Sequence, residues 1–422
     1  MLSEAVSVAK GHHRRWSSLP NDIFADIISR VGFTHKAVIT VSNTSFIIKH
    51  TADATDRWFI PPYDLYEFWT TLDNLFTVFI PPFIDTFILD LHPAHYDEPR
   101  CWPIMNRWAR QLRDCNIQHF TTKGLRRHRS DDQVYPPNFL RMHSLVSLKL
   151  NLCDNRIESS VPPIILLPNL KKLKLDWINY GFLKRLLSNC PSLEDLSVSV
   201  SVDRIEERLV SLTSKKLKRL LIALEGFLIN DFIIDAPMLE KLDYYSFSIF
   251  SMRMLDSISD VKSLKVEVSA SSRRIELGSK TTMIFPNLSH LNLVIYSPEV
   301  FKAIGLMLHC PKLEVFELRL DKIYYYRIRK MVWNKEAVFV PVEHVKHIKL
   351  YPSTGLDCIG KELLDLVRFL LRSAKVLKKL TINAYDPHSF YLAKPYFYQA
   401  LFECAKATSR CQIELLGVDK QP

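Results

Sequence analysis

A chain of 422 residues with 47% hydrophobic side chains can bury a large core, which excludes a disordered or low-complexity protein over most of its length. Only 10 residues are glycine, and no GxGxxG or GxxxxGK(S/T) string occurs, which excludes a glycine-rich phosphate loop as the organising theme. The net charge of +11 is spread in small clusters such as Arg126-Arg127-His128-Arg129 and Arg327-Ile-Arg329-Lys330. With no aromatic-basic interleaving beside them, these read as solvated turns and strand edges, not as a nucleic-acid surface.

Residues 1 to 15 are polar with a basic end and are expected to be disordered. They have no apolar core of signal-peptide length. From Trp16 the text changes. Pro20 with Asn21-Asp22 suits a helix start, where capping and acidic residues meet unpaired backbone donors. Ile23, Ile27 and Val31 then fall on one face, with Phe24 and Ile28 beside them, and Gly32 ends an amphipathic helix of about three turns. A weaker helical pattern is predicted over 34 to 58, through Ala37, Val38, Val41 and then Phe46, Ile47 and Ile48. Pro61-Pro62 and Pro81-Pro82 bracket an aromatic stretch, Tyr63 to Phe79, read as a connector that packs against the first rung of a repeat array.

The array is spelled in one short phrase. An apolar residue, two polar ones, then apolar, polar, apolar recurs as Leu145-Val-Ser-Leu148-Lys-Leu150, Leu170-Lys-Lys-Leu173-Lys-Leu175 and Leu193-Glu-Asp-Leu196-Ser-Val198. It returns as Leu239-Glu-Lys-Leu242-Asp-Tyr244, Val261-Lys-Ser-Leu264-Lys-Val266, Leu288-Ser-His-Leu291-Asn-Leu293 and Leu313-Glu-Val-Phe316-Glu-Leu318. Fainter copies open the array at Ile84 to Leu89 and Ile117 to Phe120, and others close it at Val345 to Leu350, Leu377 to Ile382 and Cys411 to Leu415. A period of 20 to 50 residues is the signature of a solenoid. Alternate apolar residues put one face of a short strand into the core, while their polar partners face out. Outward candidates for contact are Lys149, Lys172, Lys174, Glu194 and Ser197.

Between strands the spacing predicts helices over 104 to 115 (with Asn116 as the turn), 181 to 189, 299 to 309, through Leu363 to Leu371, and around Phe397, Leu401 and Ala405. A proline precedes many strands (Pro168, Pro191, Pro237, Pro286, Pro311) and marks the return onto the strand side. Cys190 and Cys310 hold the same slot before Pro191 and Pro311, so they read as small buried apolar side chains. With no CxxC among eight cysteines, a reducing compartment is expected. The apolar stretch Leu220 to Ile234 is interrupted by Glu225, Asn230 and Asp231, so no membrane span is expected. The chain should reside in the cytoplasm or nucleus.

An enzyme needs a nucleophile with a positioned base, paired carboxylates or a metal site, and none is spelled out. His92 and His95 with Asp97 and Glu98 read as a solvated loop, and the three-residue spacing of His344 and His347 puts them on opposite faces of a strand. No cofactor, metal or catalytic residue is expected.

Ser17 to Val31 resembles the first helix of an F-box, which opens on Leu-Pro, an acidic residue and an apolar helix. The Pro-x-Leu-Lys/Glu-x-Leu-x-Leu phrases resemble the leucine-rich repeats of plant F-box proteins. Residues from about 340 to 415 are similar to the FBD domain that ends many of them. The fold implied is α/β: a short helical F-box, a leucine-rich-repeat solenoid with a parallel sheet and helical or irregular returns, and an FBD cap. The division expected is a tail over 1–15, F-box-like helices over 16–60, a connector over 61–82, repeats over 83–338, and the FBD domain and cap over 339–422.

The resemblance implies a substrate receptor of a Skp–cullin–F-box ubiquitin ligase. Leu19, Pro20, Ile23, Ile27, Ile28 and Val31 would then touch the Skp-type adaptor, and through it a cullin, while the repeats hold a target protein. Ala37-Val38-Ile39-Thr40-Val41 starts the second half of the motif as the family does, but Ser42-Asn-Thr-Ser-Phe46-Ile-Ile-Lys49 replaces its Ser-Lys-Arg-Trp-like string. Two readings stay open: a ligase receptor, or an interaction scaffold uncoupled from a ligase.

Overall fold

The computed structural model describes residues 37–41, 45–50, most of 69–77, 84–90, 101–125, 137–152, 164–201, 209–225, 231–246, 249–250, 252–268, 274–275, 283–295, 308–320, 342–351, 359–383, 395–407 and 411–416. The chain divides into two compact units at Ser201/Val202. Each is a parallel-sheet solenoid.

The first unit carries β1 (Ala37–Val41), β2 (Ser45–His50), β3 (Thr86–Asp90), β4 (His119–Leu125), β5 (Ser147–Leu152), β6 (Lys172–Asn179) and β7 (Asp195–Ser201). They lie side by side in chain order, antiparallel between β1 and β2 and parallel from β2 to β7. The second unit holds β8 (Leu209–Thr213), β9 (Arg219–Glu225), β10 (Asp231–Asp235), β11 (Lys241–Ser246), β12 (Ile249–Phe250), β13 (Ser263–Val268), β14 (Arg274–Ile275) and β15 (Met283–Ile284). It continues with β16 (His290–Ile295), β17 (Leu308–His309), β18 (Val315–Leu320), β19 (His347–Tyr351), β20 (Lys379–Asn383) and β21 (Gln412–Leu416). Its main sheet runs β9-β11-β13-β16-β18-β19-β20-β21, all parallel, and short parallel pairs β8–β10, β12–β14 and β15–β17 lie outside it.

The local cause of each repeat is a turn. In nine of them the first apolar residue of the phrase donates its N–H to the carbonyl three residues back, as Leu170 does to Leu167, Leu193 to Cys190, Leu239 to Ala236 and Leu313 to Cys310. The prolines occupy the second position of that turn, where a φ preset near −65° suits the geometry. They therefore shape the strand entry itself, beyond ending whatever precedes it. The next two N–H groups share one carbonyl of the preceding repeat: Lys171 and Lys172 donate to Val146, and Lys262 and Ser263 to Glu240. This stacks turn on turn and sets the register before the strands pair.

The core follows the phrase. Leu148, Leu173, Leu196, Leu242, Leu264, Leu291, Phe316, Ile348 and Leu380 are all buried on the inward side. Cys190 and Cys310 are buried in the turn slot, and burial pushes both thiols up to about 12. Among the described residues, helices in the returns include α1 (Cys101–Asp114), α2 (Tyr180–Ser188), α3 (Met252–Ser257), α4 (Ile359–Ser373) and α5 (Pro395–Ala407). Asn116 ends the turn after α1 with φ 58°, a left-handed conformation that asparagine tolerates.

In the first unit, Trp69, Leu72 and Phe76 of the connector are buried. Phe76 stacks on Trp108 of α1 and meets Phe87 of β3 edge-on, and Asp73 accepts from Trp108 Nε1 at 3.0 Å and pairs with Arg107. The ring column continues inward through Phe87, Phe120 and Phe139.

Three sequence expectations need correction. The helical pattern over 34 to 58 is overturned where it is described, because Ala37–Val41 and Ser45–His50 are strands. Val38, Ile39, Thr40, Val41, Ile47 and Ile48 are β-branched, and the backbone of β3 offers β2 a ladder of hydrogen-bond partners, so strand wins. The predicted helix over 299 to 309 ends in β17, and its remainder lies outside the described residues. His344 sits in the turn before β19, so only His347 is on the strand. The interrupted apolar stretch from Leu220 to Ile234 resolves into β9 and β10, on two different sheets.

Candidate protein-binding face

The outward residues of each sheet form rows, because parallel register places the same phrase position side by side. In the second unit one row reads Asp243, Lys265, Asn292, Glu317, Lys349, Thr381 and Glu414. Its charges alternate and are matched within the chain. Glu317, 8% exposed, is the centre. Asn292 Nδ2 donates to its Oε2 at 3.0 Å and Lys349 Nζ to its Oε1 at 2.7 Å, while His290 Nε2 lies 3.5 Å from Oε1. Buried charge is tolerated when its lone pairs are occupied in this way.

The network shifts the ionisation of its members. Burial holds His290 below its ordinary value, with Glu317 opposing and Lys349 and Lys241 adding to the depression. The hydrogen bond to Glu317 raises Lys349. Elsewhere on this face Lys265 Nζ donates to the Tyr245 hydroxyl at 2.7 Å, Lys379 pairs with Glu414 at 2.9 Å, and the Arg319 guanidinium lies 5.1 Å from the Tyr351 ring. Tyrosine and arginine on a polar sheet are the side chains that most often anchor protein contacts.

The first unit arranges its outward residues otherwise. Thr121, Lys149, Lys174 and Ser197 form one row, and His119, Ser147, Lys172 and Asp195 the next. Of the outward candidates from sequence, Lys149, Lys172, Lys174 and Ser197 thus gather on β5, β6 and β7. Glu194 is separate: it belongs to the turn column, its N–H bonded to the Lys171 carbonyl. Leu19, Pro20, Ile23, Ile27, Ile28 and Val31 lie outside the described residues, as do His92, His95, Asp97 and Glu98.

Sequence reasoning missed Glu317, Asn292 and His290. The signal was present, since Asn292, Glu317 and Lys349 fill the same polar slot between two apolar residues of successive phrases. Aligning the phrases slot by slot would have placed them side by side.

Residues 105–258 match the family model described as FBD-associated F-box protein At5g56370, LRR repeats. FBD-associated F-box protein At5g38590 of Arabidopsis thaliana is 26% identical over 406 residues, 87% of this chain and 93% of its own. FBD-associated F-box protein At4g10400 of the same plant is 26% identical, covering 81% of this chain and 84% of its own. F-box protein At4g09920 is 32% identical over a shorter stretch, 40% of this chain and 52% of its own. The chain is similar to plant proteins of this kind over most of its length, and its repeats are leucine-rich repeats of their type.

Proposed function

Starting from that likeness to the FBD-associated F-box proteins, we propose that this chain is the target-recruiting subunit of a Skp–cullin–F-box ubiquitin ligase. The observation that carries the reading is similarity across 87% of the chain to a protein named for its F-box, which includes more than the repeats. Leu19, Pro20, Ile23, Ile27, Ile28 and Val31 dock on the Skp-type adaptor, and the adaptor joins the cullin. The solenoid faces hold a target protein, as polar sheets with tyrosine and arginine anchors can. The chain transfers no ubiquitin itself and works in the cytoplasm or nucleus. Capture of a Skp-type adaptor by the full chain tests this. A Leu19→Asp, Ile23→Asp double variant should reduce capture about tenfold or more, since each change places an unpaired carboxylate in an apolar contact. Undiminished capture would refute the docking helix.

A second reading is favoured by β1 and β2. An F-box is helical where these two strands pair with each other and with β3. In that reading the chain is a repeat scaffold that binds its target without a ligase. Purification of a target complex from plant tissue with no adaptor in it would decide for the scaffold.

A further inference from the structure

We propose that the outward face of β5 and β6 is a docking site for an acidic segment of the target protein, gripped by Lys149, Lys172 and Lys174. The proposal deepens the target-recruiting reading and rests on it. Register sets Lys149 directly opposite Lys174, and Lys172 stands two residues before Lys174 on the same side of the strand. Neighbouring strands are about 4.8 Å apart and residues two apart on a strand about 7 Å, so three ammonium-bearing side chains rise from one small patch. All three are exposed, and among the described residues none makes an ion pair.

Like charges directly opposite on a sheet destabilise it. The equivalent row of the second unit avoids this by alternating sign, with Lys349 directly opposite Glu317 and paired with it. In the first unit Lys149 keeps its repulsion with Lys174, offset in part by Asp176 and Asp195 beside the lysines, and an anionic partner relieves what remains. Around the lysines stand Thr121 and Ser197, whose hydroxyls can donate to a carboxylate.

The boundaries of the patch select the kind of anion. Asp176 follows Lys174 on β6, and Asp195 lies opposite Lys172 on β7. A nucleic-acid backbone carries charge at every step and would run onto these carboxylates. A short segment with two or three acidic side chains can stop at the three lysines.

The test is fluorescence anisotropy on the full chain with a fluorescein-labelled Gly-Ser peptide bearing four glutamates, at about 50 mM salt, where screening is weak. Its glutamine counterpart and a single-stranded oligothymidylate serve as comparison probes. The Lys149→Gln, Lys172→Gln, Lys174→Gln triple variant should bind the acidic peptide at least about tenfold more weakly. Lys184→Gln, Lys215→Gln, Lys216→Gln removes the same charge from other exposed positions and should change binding less than about twofold. Lys149→Glu should lose binding while its melting temperature holds or rises, because it now attracts Lys174 across the strands. That variant separates lost binding from lost folding.

Equal losses in both triple variants, no loss in either, or no binding by the natural chain would overturn the site. Tighter binding of the oligothymidylate, abolished by the first triple variant, would also overturn it in favour of nucleic acid. Adaptor capture by the same variants should stay at the natural level. If adaptor capture is absent from the natural chain while the peptide result holds, the ligase reading fails and the site stands.

Discussion

Glu317 illustrates how one residue is governed by its neighbours on a sheet face. Its carboxylate is nearly closed to water, yet Asn292 and Lys349 occupy it at hydrogen-bond distance. His290, beside it, is held neutral further down the pH scale than an ordinary histidine, chiefly by burial. A folded value below 6.5 means that the unfolded chain takes up the proton first as pH falls. The contribution of His290 is therefore present above its ordinary value and is lost as pH drops through and below it. The melting temperature should fall between about pH 7.5 and 5.5, and His290→Gln should flatten that fall; an equal slope in both proteins would refute the assignment. Glu240, Glu314 and Glu414, each lowered by a hydrogen bond from Lys262, Lys346 or Lys379, act in a separate window below 4.5. Their stability is present above that value and lost as the folded carboxylates take up protons. The outward side of the strand residues among these was legible from the alternation, while Glu240 and Glu314 hold the turn slot that Glu194 holds. Their partners were not legible, because a cross-strand neighbour lies 22 to 35 residues away in the chain.

Elements show a similar division. α2 was legible because Phe182, Leu183, Leu186 and Leu187 recur at helical spacing, and the structure adds its cap: Phe182 N–H donates to Asn179 Oδ1 at 2.7 Å. Asn179→Ala should destabilise the first unit by about 1 kcal/mol, whereas Asn179→Asp keeps an acceptor and should cost less. Urea unfolding followed through the tryptophans checks this, and equal losses would show that the cap is unimportant. α1, α4 and α5 were legible for the same periodic reason. β1 and β2 were not, since apolar residues at 37, 38 and 41 satisfy a helical spacing while β-branched composition favours a strand. The presence of β3 as a partner decides such a case. β8 and β10 were hidden likewise: Val210, Leu212, Phe232 and Ile234 are buried, but their runs lack the leucine phrase.

At the scale of the molecule, each unit is a stack in which a repeat touches its neighbours, so stability should be transmitted from one rung to the next. The closing rung, β21, leaves Ile413 and Leu415 only half buried, and α5 lies against α4. Ending the chain after Asn383 removes both and uncovers Leu380 and Ile382. Amide exchange measured by mass spectrometry should then quicken most at β20, less at β19, and not at β3 to β7. A uniform increase would show that the array melts as a whole. What the amino acids determined alone was the repeat, the strand at its heart and the side on which each residue stands. These depend on a two-residue alternation and a turn, both local. What tertiary structure decided was which polar residues meet across strands, which runs join a side sheet, and that Ala37–Val41 and Ser45–His50 add to the edge instead of coiling. Those outcomes depend on hydrogen-bond partners and charges brought close only when the rungs stack.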